Sequence, residues 1–134
     1  MPSFQVNITT GAGTPIYRQI VEQVRLGVAT GALAPGDAMP SVRSLAERLV
    51  VNANTVVKAY GELVRDGVLD SRHGLGFFVA PRRQVYSRAE RLRRLQQALD
   101  TFIHEAVFLG FSADEIRKAV HEKLTELDLE RKAV

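Results

Sequence analysis

The sequence predicts a mainly α fold with one small β-hairpin, and three observations carry that prediction. Residues 16–65 contain three segments whose apolar residues recur at helical period, separated by short connections. Two short apolar-rich runs then flank His73-Gly74-Leu75. After Pro81-Arg82-Arg83, two further segments repeat apolar residues every three to four positions, each opened by a Ser-x-x-Glu spacing.

Ser3–Ile8 alternates apolar and polar residues and is expected to form a short edge strand, followed by a TGAGT loop. Thr14 is the expected N-cap of the first helix, with Pro15 at its first position. Ile16, Ile20, Val21, Val24 and Val28 give that helix one apolar face to about Ala29, and Gly31 ends it. ALAPGDAMP reads as a turn-rich connection. Ser41 caps a short second helix that turns Val42, Leu45, Ala46 and Leu49 inward. After a link of a few residues, Asn52 caps a third helix, with Val56, Tyr60, Leu63 and Val64 inward and Gly67 as its stop. Two amphipathic helices joined by a tight turn make a helix-turn-helix. Val68–Arg72 and Gly76–Ala80 read as a hairpin with a glycine-bearing tip, which completes a winged helix-turn-helix by about Ala80.

The domain division expected is 1–82 for this unit and 83–134 for a two-helix segment. Ser87 with Glu90, and Ser112 with Glu115, have capping-box spacing. Leu92, Leu95, Leu99, Phe102, Ile103, Ala106 and Leu109 form the stripe of the first of these helices, and Gly110 breaks it. Ile116, Ala119, Val120, Leu124 and Leu127 form the stripe of the second. Two such helices bury too little surface to stand alone, so they must pack on the first domain, on a partner or on their own copy. Self-association into a four-helix arrangement is the reading taken, and it assigns dimerisation to Leu92, Leu95, Leu99, Phe102, Ile103, Leu109, Ile116, Val120 and Leu124.

Composition removes several function classes. At 134 residues, 46% hydrophobic and 25% charged, the chain has ordinary globular make-up, which argues against wholesale disorder. It has no cysteine, which excludes disulfides, thiolate zinc sites and cysteine nucleophiles. The start MPSFQVNITT lacks the features of a secretory signal, and no apolar run approaches the ~18 residues of a membrane span. A cytoplasmic protein is expected. The net charge of +3 lies wholly in residues 1–83, with nine Lys/Arg against six Asp/Glu, whereas residues 84–134 hold nine of each. A local basic surplus suits an anionic partner, as it also suits an ordinary solvated surface.

On the third helix, placing Val56 inward turns Asn54, Lys58, Gly61 and Arg65 outward, a row without a carboxylate. Asn54 and Thr55 occupy the first turn, the end that a recognition helix points into the major groove. An asparagine amide both donates and accepts, as an adenine edge requires, while Lys58 suits phosphate or guanine. Gly61 permits close approach to a partner or close packing within the protein. Asn52 reads first as a cap, with a base contact as its second role. Ser41 is a cap or a phosphate ligand, Arg43 stands near enough to reach a base or the backbone, and Arg72, His73 and Gly74 sit where a wing enters a minor groove. His73 is equally an incidental residue of a hairpin turn. His104 and His121 lack metal-ligand spacing, and no hydrolase elbow, P-loop or dinucleotide fingerprint occurs. No metal, cofactor or catalytic residue is expected.

The run from PIYRQI through GALAPGDAMPSVRSLAERLVVNANTVVKAYGELVRDGVLDSRHGLGFFV closely resembles the winged-helix domain of the GntR family of bacterial transcription regulators. PSVRSLA, NTVVKAY, DGVL and HGLGFFV fall in the family's order and spacing over Pro15–Val79, about half of the chain. The short tail resembles that of the YtrA subfamily, which implies dimerisation by the tail and no room there for the ligand pocket of other branches. The chain's end before any aminotransferase-like domain sets it apart from the pyridoxal-phosphate branch. By position, the resemblance implies that Arg43 contacts operator bases or backbone, that Asn52, Asn54 and Thr55 open the recognition helix, and that His73 and Gly74 form the wing tip. Ala53 stands where many relatives carry arginine or proline and Val57 where some carry a second arginine, which leaves the reading to asparagine, threonine and Lys58. Val50 replaces a common glycine of the turn.

The expected function is sequence-specific binding of a palindromic double-stranded operator by a homodimer, as a repressor, with a small-molecule effector left open. The competing class is a winged-helix protein-interaction module that never touches DNA. It calls for an apolar or carboxylate-bearing outward row on the third helix.

Overall fold

The computed structural model describes residues 4–81 and 85–127. The chain divides into two compact units, Met1–Arg82 and Arg83–Val134. The expected domain boundary at 82/83 and the expected strand start at Ser3 lie outside the described residues.

The first unit runs α1 (Ile16–Thr30), α2 (Val42–Leu49), α3 (Ala53–Arg65), β1 (Leu69–Arg72) and β2 (Gly76–Val79). Helices α1 and α2 both pack on α3, which is the centre of the unit. Ile20, Val21 and Val24 of α1, Leu45 and Ala46 of α2, and Val56, Ala59, Tyr60 and Leu63 of α3 belong to one buried cluster. Each fully buried aliphatic side chain contributes about 1.5–3 kcal/mol, so this seam is the main source of stability. Tyr60 is enclosed on all sides, with the Phe77 ring edge-on at 4.9 Å and its own hydroxyl donating to the Pro40 carbonyl at 2.8 Å. Burial pushes the phenol well above its ordinary range, with Arg48 pulling weakly the other way. It therefore stays a neutral donor.

Helix α1 begins differently from expectation. Pro15 occupies the cap position with extended backbone, no side chain caps the helix, and the Pro15 carbonyl accepts the Gln19 N–H at 3.1 Å to start the ladder. Thr14 is thus not the cap, and its carbonyl accepts instead from the Gln19 side-chain amide at 3.0 Å. Nor do residues 4–8 form a strand, because no other strand lies beside them. The extended arm docks on glutamines. The Asn7 N–H donates to Gln23 Oε1 at 2.8 Å and the Gln23 amide donates back to the Asn7 carbonyl. Thr9 makes the same pair with Gln19, at 2.8 and 2.9 Å. Four helical residues advance ~6 Å and two extended residues ~6.6–6.8 Å, so glutamines four apart match backbone amides two apart. Val6 of this arm is buried, and Gly27 leaves room for the Phe4 ring, which would lie 2.6 Å from any Cβ there.

The connection after α1 has more order than its composition suggests. Ala38 bridges Phe78, the Met39 N–H donates to the Phe77 carbonyl at 2.8 Å, and the Val79 N–H donates to the Asp37 carbonyl at 2.8 Å. The free edge of β2 is thereby covered. On its other edge β2 pairs antiparallel with β1, Leu69 opposite Val79 and Arg72 opposite Gly76. Between α2 and α3, Val50 adopts left-handed backbone (φ 56°, ψ 52°).

In the second unit, α4 (Arg88–Phe108) and α5 (Ala113–Glu126) join through Gly110, which has φ 88°. Ser112 and Glu115 form the expected reciprocal capping box. The box at Ser87 is only half formed. Ser87 Oγ accepts the Glu90 N–H at 3.1 Å, but the Glu90 carboxylate is taken by Arg93 and Arg94 at 2.7–2.9 Å. No helix among the described residues is long and apolar enough to cross a membrane.

Candidate nucleic-acid interface

Helix α3 presents the expected face. Asn52 Oδ1 accepts the Asn54 N–H at 2.8 Å, so this side chain is the cap, with its amide nitrogen still at an exposed position. Asn54 and Lys58 are exposed, whereas Thr55 is half-buried. Burial of Val56, Ala59, Tyr60 and Leu63 fixes the rotation of the helix that turns Asn54 and Lys58 outward. A Cβ at Gly61 would meet nothing nearer than Arg65 Nη1 at 3.7 Å. Internal packing therefore does not require this glycine.

Two shallow concavities flank the start of α3. One is lined by Arg43, Glu47, Val50, Asn52 and Ala53, at the mouth of the helix-turn-helix. The other brings Asn54, Thr55 and Lys58 against Pro15, Ile16 and Tyr17 of α1. Ser41 caps α2 by accepting the Ser44 N–H at 3.0 Å, and its hydroxyl proton remains available to a phosphate oxygen. Arg43 extends into solvent, held only by a loose 3.9 Å approach to Glu47.

At the wing, Arg72, His73 and Gly74 are exposed. The Leu75 N–H returns to the Arg72 carbonyl at 2.9 Å, and the left-handed backbone at Gly74 (φ 75°) and the positive φ at Gly76 (112°) make the turn possible. Arg72 lays its guanidinium 4.2 Å from the centre of the Phe78 ring.

Sequence reasoning overlooked three residues here. The Lys58 ammonium sits 3.9 Å from the centre of the Tyr17 ring. Arg18 donates to both oxygens of Glu62 at 2.8 and 3.3 Å, which neutralises the carboxylate nearest the outward row. Tyr17 shares its helix face with core residues, and Arg18 lies 44 positions from Glu62, so neither pairing leaves a local signal.

In the second unit, Leu92, Leu95, Leu99, Phe102, Leu109 and Val120 are exposed, while Ile103, Ile116 and Leu124 are half-buried. Ala106 alone among the described residues of this unit is buried. Phe108, 85% exposed, lies off the expected stripe. An apolar cleft opens between the helices, lined by Phe102, Ala106, Leu109, Phe111, Ile116 and Ala119. No cluster of potential metal ligands occurs among the described residues.

The comparisons agree with this geometry. The model of the family described as bacterial regulatory proteins, gntR family, matches residues 16–79. The HTH-type transcriptional repressor YtrA of Bacillus subtilis is 31% identical over 117 residues, 87% of this chain and 90% of that protein. Among solved structures, a transcriptional antiterminator from Listeria monocytogenes matches with TM-score 0.78 and 35% identity, over 92% of each chain. The DNA-binding domain of AraR in complex with its operator ORX1 matches with TM-score 0.51 and 29% identity, over 60% of this chain and all of that one.

Proposed function

This chain belongs to the GntR family of bacterial regulatory proteins, and from that premise we propose that it acts as a homodimeric repressor on a palindromic operator. It is a DNA-binding transcription regulator of winged-helix type, not an enzyme. The observation that carries the reading is the outward row of α3: Asn54, Lys58, Gly61 and Arg65, with the adjacent Glu62 carboxylate neutralised by Arg18. Such a row offers donors, amides and positive charge to a polyanion, with Val57 as the exposed apolar side chain at its border and no unpaired carboxylate in it. Asn54 and Thr55 enter the major groove, with Lys58 and Arg43 on base edges or phosphates. Asn52 lends its amide nitrogen, Ser41 takes a phosphate, and Arg72, His73 and Gly74 flank the minor groove.

Dimerisation places two such helices on two half-sites. The exposed stripes of α4 and α5 support it, because Leu95, Leu99 and Phe102 lie open to solvent in the single chain. The related YtrA is itself named a repressor, and a cytoplasmic location suits such a role. The test is titration of the full chain against a duplex selected from a random pool, at several salt concentrations. Binding should favour a palindrome and weaken steeply with salt. Failure to enrich any duplex at low salt would overturn the proposal.

A further inference from the structure

We infer that Tyr17, on the first turn of α1, is a positioning residue that holds the Lys58 ammonium at the groove-facing start of α3. The inference rests on the DNA-binding reading above and deepens it. Lys58 has a competitor for its charge in Glu62, four residues on along the same helix, within reach of an intrahelical ion pair even though lysine before glutamate is the weaker order. That pair would draw the lysine toward the C-terminal half of α3, away from Asn54 and Thr55. It does not form here. Arg18 takes both Glu62 oxygens, at 2.8 and 3.3 Å, and the adjacent Tyr17 ring takes the ammonium, 3.9 Å from its centre. Two consecutive residues of α1 thus sort two charges of α3.

The ring is well placed to do so. Tyr17 is half-buried, packed against the core, and it lines the concavity that also holds Asn54, Thr55 and Lys58. A lysine stem is long and mobile, and a fixed aromatic face restricts where its charge dwells. Because α1 packs closely on α3, the position of the ring is set by the core itself.

The experiment is a double-mutant cycle on the full chain, with anisotropy of a pool-selected duplex and thermal melts in parallel. Tyr17→Leu should weaken binding about two- to fivefold, as expected for an exposed cation–π contact, and Lys58→Ala by at least as much because it removes the charge itself. The double variant should be no weaker than Lys58→Ala, and the salt dependence should flatten most in Lys58→Ala, which loses the charge itself. Tyr17→Phe, which keeps the ring and loses only the long 3.5 Å hydrogen bond that the hydroxyl accepts from Arg18, should bind like the unaltered protein. Arg18→Gln, which frees Glu62, should weaken binding in the same range. Additive losses, a Tyr17→Phe as weak as Tyr17→Leu, or a neutral Lys58→Ala would each overturn the inference while leaving DNA binding intact. No binding by the unaltered protein would instead sink the DNA-binding reading, and this one with it. If Tyr17→Leu melts early, the unaltered protein still decides. Its Lys58 ε-protons should resonate upfield from ring current, and ordinary shifts would refute the contact.

Discussion

The Tyr60 hydroxyl, in the middle of α3, donates to the Pro40 carbonyl at 2.8 Å, just before the α2 cap Ser41. One phenol therefore joins α3 to the start of the helix that carries Arg43. Tyr60→Phe keeps the ring, its volume and its edge-on contact with Phe77, and removes only this bond. Stability should fall by about 1–2 kcal/mol, because the carbonyl loses its partner in a largely enclosed place. Urea unfolding checks this, with the midpoint lower and the slope unchanged. An unmoved midpoint would mean that water already solvates Pro40.

Val50 stands in the left-handed region with its side chain 88% exposed. A β-branched residue there is strained by about 1–2 kcal/mol, and almost no burial offsets the strain. Val50→Gly should therefore raise stability by about 1 kcal/mol, the gain being reduced by glycine's freedom in the unfolded chain. Val50→Ala should change little, since the alanine Cβ meets the same clash. Equal midpoints for the glycine and parent proteins would show that the turn relaxes without cost.

The carboxyl of Glu90 is held at about 2, foremost by the hydrogen bond from Arg93, then by that from Arg94 and the charges of both, against a desolvation that raises it. Its ordinary value is 4.5, so the folded form binds its proton less readily than the unfolded form. The sign follows: the contribution is full above pH 4.5 and is lost as the pH falls through about 2. The side-chain carbon shift of Glu90, followed by NMR from pH 7 to 1.5, should titrate near 2. In Glu90→Gln the start of α4 should lose this acid dependence. A midpoint near 4.5 would show that the arginines swing free in solution.

The sequence made the helices legible because their apolar period and caps are local. Ser41, Asn52, Ser87 and Ser112 each accept an N–H two or three residues on, as their residue types demand. What stayed hidden depends on separation. Gln19 and Gln23 look like surface residues until an extended arm lies beside them, and Asp37 and Met39 look like turn until β2 needs an edge partner. At the interface, Asn54 and Lys58 followed from the rotation that Val56 imposes, whereas Tyr17 and Arg18 entered only when α1 folded against α3. The half-formed cap at Ser87 has a different, local cause: Arg93 and Arg94, three and four residues on, take the Glu90 carboxylate that the Ser87 N–H would otherwise hold.

Gly61 separates fold from function most cleanly. A methyl group there would meet only the tip of Arg65, at 3.7 Å, so Gly61→Ala should fit and should stabilise α3 by about 1 kcal/mol in urea unfolding. The same methyl group would stand on the exposed side of α3, in the row of Asn54, Lys58 and Arg65 that we propose faces the operator. Where a helix seats closely, overpacking costs ~1–3 kcal/mol, so affinity for a selected duplex should fall about fivefold or more. Stability and binding should thus move in opposite directions for one added carbon. Affinity unchanged in Gly61→Ala would place the contact nearer the first turn of α3 and leave Gly61 outside it. A fall in both quantities would mean that the helix, and not the groove, lacked room.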